Sequence, residues 1–131
     1  MKLYPLTFKP IIKERIWGGS KLNTFLNKEL TIKNAGESWE LSSVPNDVSV
    51  VDNGGLKGKS LNEIIALDPE ALLGKEVVEK FGYELPLLFK FLDANKDLSI
   101  QLHPNDELAK LRHNSFGKTE MWYVIQADEG A

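Results

Sequence analysis

The sequence predicts a mainly β fold, antiparallel in its strands, with a helical insertion near 60–82. Three observations predict it. Residues 1–53 are short apolar runs broken by Pro, Gly and Asn, the punctuation of strands and turns. Residues 56–82 change to helical spacing behind a capping signal. From Pro86 onward the period returns to two. Strands, then a block of helix, then strands again is the order of a mostly antiparallel β domain with attached helices.

Each element has a local reason. Leu3 to Phe8, Glu37 to Ser42 and Val48 to Val51 read as strands, and Gly18-Gly19 and Gly54-Gly55 mark tight backbone positions between them. Ser60-Leu61-Asn62-Glu63 is a capping box ahead of Leu61, Ile64 and Ile65 at helical spacing. Asp68-Pro69-Glu70 restarts a helix, with Asp as N-cap and Pro in the first turn; Gly74 stops it, and Glu76 to Phe81 adds a further turn. Leu87 to Leu92 reads as a buried strand, with Lys90 between Phe89 and Phe91 requiring an ion pair, to Asp93 or to a carboxylate elsewhere. Leu98 to His103 alternates as a strand, Asn105 or Asp106 caps a short helix through Leu111, Asn114 to Lys118 turns, and Glu120 to Gln126 is a last strand. Trp39 and Trp122 read as core, and His113, beside Asn114-Ser115, as surface.

The chain has 131 residues, one domain's length, and no internal repeat. With 42% hydrophobic and 27% charged residues it can bury a core. Sixteen basic against nineteen acidic residues give a net charge of −3, which argues against nucleic-acid and membrane-surface partners. The absence of cysteine excludes disulfides, thiol nucleophiles and Cys-based metal sites. No apolar leader or membrane-length run is visible, so the expectation is a cytoplasmic protein.

The chemistry concentrates in two segments. In Ser99-Ile100-Gln101-Leu102-His103, strand alternation puts Ser99, Gln101 and His103 on one face and Ile100 and Leu102 on the other, against a core. In Gly117-Lys118-Thr119-Glu120-Met121-Trp122-Tyr123, a carboxylate opens an apolar, aromatic strand and needs a partner. If the two strands pair, an amide oxygen, an imidazole nitrogen and a carboxylate converge in a dry interior, a donor set that suits Zn²⁺. On spacing alone, Gln-x-His reads more readily as a surface or hydrogen-bonded pair, and Glu120 as an edge charge.

These residues resemble the metal-binding core of type I phosphomannose isomerases, members of the cupin superfamily. Arg15-Ile16-Trp17-Gly18-Gly19, Gly36-Glu37-Ser38-Trp39-Glu40-Leu41-Ser42 and Leu85-Pro86-Leu87-Leu88-Phe89-Lys90 resemble further family segments, in order. The resemblance implies a cupin-like jelly-roll sandwich or barrel, incomplete here, with residues 1–131 as the N-terminal portion of a longer domain. It implies Gln101, His103 and Glu120 as ligands of one Zn²⁺, and Trp17, Glu37, Ser99 and Lys118 near a sugar-phosphate pocket.

The implied activity is zinc-dependent interconversion of mannose 6-phosphate and fructose 6-phosphate, with Lys118 and Glu37 as catalytic candidates. Glu37 and a zinc-bound water are the candidate bases. Trp17, Ser99 and Lys118 are the candidates for binding a hexose 6-phosphate. The last metal ligand and an arginine of the family are expected beyond residue 131, so low activity and self-association through unpaired strand edges are expected. The rival readings are another metal-binding cupin, such as an oxygenase or sugar-binding module, and a non-catalytic remnant.

Overall fold

The computed structural model describes residues 4–131. Its contacts divide the chain into two compact units, one ending at Leu98 and one spanning Ser99–Ala131.

The first unit is built on a three-stranded antiparallel sheet in the order β1-β2-β3, with β1 at Ile11–Gly19, β2 at Ala35–Leu41 and β3 at Phe89–Leu92. β2 is central, pairing Lys13 with Glu37 on one side and Glu37 with Leu92 on the other. β1 has no counterpart among the expected strands. Lys13, Glu14 and Arg15 interrupt its apolar pattern, because this edge strand spends side chains on ion pairs: Lys13 with Asp47 and Arg15 with Glu37. The expected strand at Leu3 to Phe8 reduces to one bridge, Phe8 with Val51; Leu3 lies outside the described residues. Val48 to Val51 is likewise bridged singly, at Val50 and Val51, rather than laddered.

Helix α1 (Lys21–Thr24) follows β1 directly. The insertion is α2 (Leu61–Leu67), α3 (Pro69–Leu73) and α4 (Lys75–Phe81). Its caps are those the sequence predicts. Ser60 Oγ accepts the Glu63 N–H at 3.3 Å, and Glu63 Oε2 accepts the Ser60 N–H at 2.7 Å. Asp68 accepts the Ala71 N–H, and Gly74 closes α3 with φ 85°. Leu61, Ile64 and Ile65 of α2 are buried, together with Leu22, Ala35 and Val51. α3 and α4 contribute no buried residue to this small core.

In the second unit the regular element is α5 (Asp106–His113). Asn105 accepts the Leu108 N–H at 2.9 Å as N-cap, and Asn114 closes the helix in the left-handed region at φ 49°. His113 is exposed, as expected. The two expected strands, Leu98 to His103 and Glu120 to Gln126, form no ladder among the described residues. Their apolar side chains meet no core: Ile100 and Leu102 are fully exposed, Met121 is 90% exposed, and Trp122 is on the surface rather than in the interior. The alternation is real, but a strand requires a hydrogen-bonded neighbour, and none is provided.

Two glycines set how closely β1 and β2 approach. A Cβ on Gly18 would lie 2.5 Å from Gly36 N, and one on Gly36 would lie 2.5 Å from Arg15 Cβ and 2.9 Å from the Trp17 ring. Gly36→Ala should therefore lower stability by about 2 kcal/mol, since the obstructing atoms lie close to the backbone. Gly55→Ala, which meets nothing within 4 Å, should stay within about 0.5 kcal/mol. Urea denaturation of the two variants measures the difference.

Candidate metal centre

Each unit carries one cluster of charged side chains. In the first, β2 delivers Glu37 to the middle of the sheet, where it is 6% exposed. Three strands close on it. Arg15 from β1 donates to Oε2 at 2.8 Å, Trp39 Nε1 from β2 donates to the same oxygen at 2.8 Å, and Lys90 from β3 donates to Oε1 at 2.9 Å. The ion pair that Lys90 needs is thus made with Glu37, not Asp93. Burial alone would push the Glu37 carboxyl up; the Trp39 hydrogen bond, the Lys90 hydrogen bond and the charges of Lys90 and Arg15 outweigh it and hold the carboxyl below its ordinary value.

Trp17, on β1, is half-buried, with its ring over Gly36, and its carbonyl accepts the Asn95 N–H at 2.9 Å. Asp93, also buried, accepts the Lys21 backbone N–H at 2.6 Å and ties the segment after β3 to the start of α1. Trp39 is half-buried rather than core, with the Lys13 ammonium 4.9 Å from its ring. The sequence reading missed Arg15 and Trp39 as partners of Glu37. The signal was available, since Glu37 and Trp39 stand two apart and so share one strand face.

In the second unit the turn after α5 brings Lys118 and Glu120 to His103. Lys118 Nζ lies 3.4 Å from His103 Nε2 and 3.4 Å from Glu120 Oε2. A ring nitrogen and a carboxylate oxygen both stand beside this one ammonium. Both are N/O donors of the kind Zn²⁺ takes, so His103 and Glu120 fit a metal.

Gln101 is exposed, and no hydrogen bond or ion pair joins it to this group; Ser99 is exposed as well. The dry sheet interior expected around three ligands is not formed here: His103 and Glu120 each lie beside Lys118 at an open surface, where the side chains of Lys118 and Glu120 are 46% and 37% exposed. The physical reason is the missing ladder: without strand pairing, alternation alone does not aim Gln101. Among the described residues, no group of three His, Cys, Asp or Glu side chains forms a metal cluster, and no helix is long and apolar enough to cross a membrane.

The family model of the phosphomannose isomerase type I catalytic domain matches residues 6–125. The chain is 43% identical over 132 residues to the mannose-6-phosphate isomerase ManA of Bacillus subtilis, covering 100% of this chain and 40% of that protein. It is 43% identical over 127 residues to the mannose-6-phosphate isomerase of Streptococcus mutans, covering 97% and 39%. Among solved structures, the mannose 6-phosphate isomerase from Bacillus subtilis superposes with a TM-score of 0.86 at 38% identity, over 97% of this chain and 39% of that one. A zinc-bound mannose 6-phosphate isomerase superposes with a TM-score of 0.68 at 30% identity, over 81% and 27%. The chain thus spans about two fifths of the length of the curated relatives it matches. The likeness bears out the expected fold class, an antiparallel β architecture with a helical insertion.

Glu37→Gln should cost about 2 kcal/mol, because two cations and an indole N–H then share a neutral acceptor. The sign with pH follows from a carboxyl held lower in the folded state than its ordinary 4.5. Its stabilising contribution is complete above that value and is lost as pH falls through the folded one. The gap between wild type and Glu37→Gln should therefore narrow toward acid pH, as denaturant midpoints measured across that range would reveal.

Proposed function

From the premise that this chain belongs to the type I phosphomannose isomerase family, we propose that it carries the metal-binding segment of a zinc-dependent aldose–ketose isomerase. The substrates are mannose 6-phosphate and fructose 6-phosphate. The observation that carries the reading is the meeting of the His103 nitrogen and the Glu120 carboxylate at one positive centre. Gln101, two residues before His103, is the third ligand. Zinc held there would polarise a substrate oxygen as a Lewis acid.

The isomerisation moves a proton between C1 and C2 through a cis-enediolate, so it needs a base and a stabiliser of developing negative charge. Lys118 is assigned to the second task and to the anionic phosphate, because its ammonium is exposed and beside the proposed ligands. Trp17 offers a flat apolar face to a sugar, and Ser99 a hydroxyl; both are assigned as substrate contacts. Glu37 is assigned a positioning role. A carboxylate whose oxygens accept from Arg15, Trp39 and Lys90, and which is held low, is a poor proton acceptor at neutral pH. It instead fixes the two cations and Trp39.

Two outcomes test the reading. Glu120→Gln should weaken zinc binding at least tenfold, by equilibrium dialysis against a chelator buffer. The 131-residue chain should isomerise mannose 6-phosphate at least a hundredfold more slowly than a full-length relative in a coupled assay, since its candidate ligands lie at an open surface where water competes for the metal. Zinc binding unaffected by Glu120→Gln, or iron binding with dioxygen consumption, would displace the isomerase reading.

The reading also assigns self-association through 120–126. Met121, Trp122, Tyr123, Val124 and Ile125 are all more than half exposed, an uncharged β-prone run without Pro or Gly. Sedimentation should detect dimers or larger species at high concentration, and Val124→Lys should shift the population toward monomer.

A further inference from the structure

Lys118 already supplies a cation to the pair of donors that the reading above gives to zinc. Its Nζ is 3.4 Å from His103 Nε2 and 3.4 Å from Glu120 Oε2. A divalent ion bound by those same atoms would occupy the space of the ammonium, and two positive centres at such range repel strongly. The backbone beside Lys118 is fixed. The Gly117 N–H donates to Asp106 Oδ1 at 2.8 Å, and a Cβ on Gly117 would lie 2.8 Å from backbone atoms of Pro104, Asn105 and Asp106. The turn is thus pressed against the start of α5, and movement falls on the side chain. That side chain is a flexible stem, nearly half exposed, able to swing away without unpacking a core.

We propose that Lys118 is the resident cation of the metal-free centre. Its ammonium stands beside both His103 and Glu120, a divalent ion enters by displacing it, and the displaced ammonium is then free for the anionic substrate. Metal loading and substrate readiness are coupled through one side chain. The inference rests on the metal reading of His103 and Glu120, and its test separates the two.

Zinc affinity of the 131-residue chain is measured by competition with a chromophoric chelator, for wild type, Lys118→Met, Lys110→Met and His103→Ala. Lys110, on α5, is exposed and makes the same change in net charge. Lys118→Met should bind zinc about tenfold tighter, and Lys110→Met should stay within about twofold of wild type. In wild type, the NMR signals of the Lys118 ε-methylene should shift as zinc is added, and in His103→Ala they should not. Equal tightening in both lysine variants, or unchanged or weaker binding in Lys118→Met, overturns the proposal and leaves the metal assignment standing. Zinc bound no more tightly by wild type than by His103→Ala overturns the metal assignment, and this proposal with it.

Discussion

The first unit depends on one buried carboxylate. Glu37 is the point where β1, β2 and β3 are joined by side chains as well as by backbone, through Arg15, Trp39 and Lys90. A charge in the middle of a small sheet is costly to desolvate, and it is tolerated because its oxygens accept three donors, two of them cationic. The arrangement is reciprocal. Lys90, half-buried on β3, gains in Glu37 the carboxylate it needs. The pair makes the burial of Glu37 acceptable and helps fix the register of three strands whose buried apolar core is modest. The close approach of Gly18 and Gly36 serves the same end, letting the Arg15 and Trp17 side chains cross over β2.

The second unit works on a different balance. Its charged group lies at the surface, and its geometry comes from a turn rather than a ladder. Lys118 reaches His103 and Glu120 because Gly117 is pinned against the start of α5, with Asn105 capping the helix beside it. A helix cap, a glycine contact and one flexible cation suffice to bring an imidazole and a carboxylate together from positions seventeen residues apart in sequence. In water the attraction between such exposed charges is weak, so the same group is easily rearranged by a stronger cation.

Ile100, Leu102 and Met121 to Ile125 present apolar side chains at the surface. The chain covers nearly all of its own length in its matches to the relatives but about two fifths of theirs. A sheet face is completed by strands that need not be near in sequence, and the order of an antiparallel β architecture makes late segments the neighbours of early ones. Alternation in 98–103 and 120–126 therefore specifies a face without supplying the strand that would cover it.

Local chemistry was legible in the sequence because it is decided within a few residues. The capping box at Ser60, the Asp68-Pro69 helix start, the Gly74 stop, the Asn105 cap and the placing of the helical insertion all follow from nearest neighbours. So did the need of Lys90 for a carboxylate, and the ordered motifs that assign the family. What tertiary structure alone decided is which distant groups meet. That Lys90 chooses Glu37 over Asp93, that a strand with three consecutive charges forms the sheet edge, and that His103 and Glu120 face a lysine while Gln101 stands apart are matters of pairing between remote segments. Side-chain periodicity reveals which way a residue leans from its own backbone; only a paired backbone, with its hydrogen bonds satisfied, determines what it leans toward.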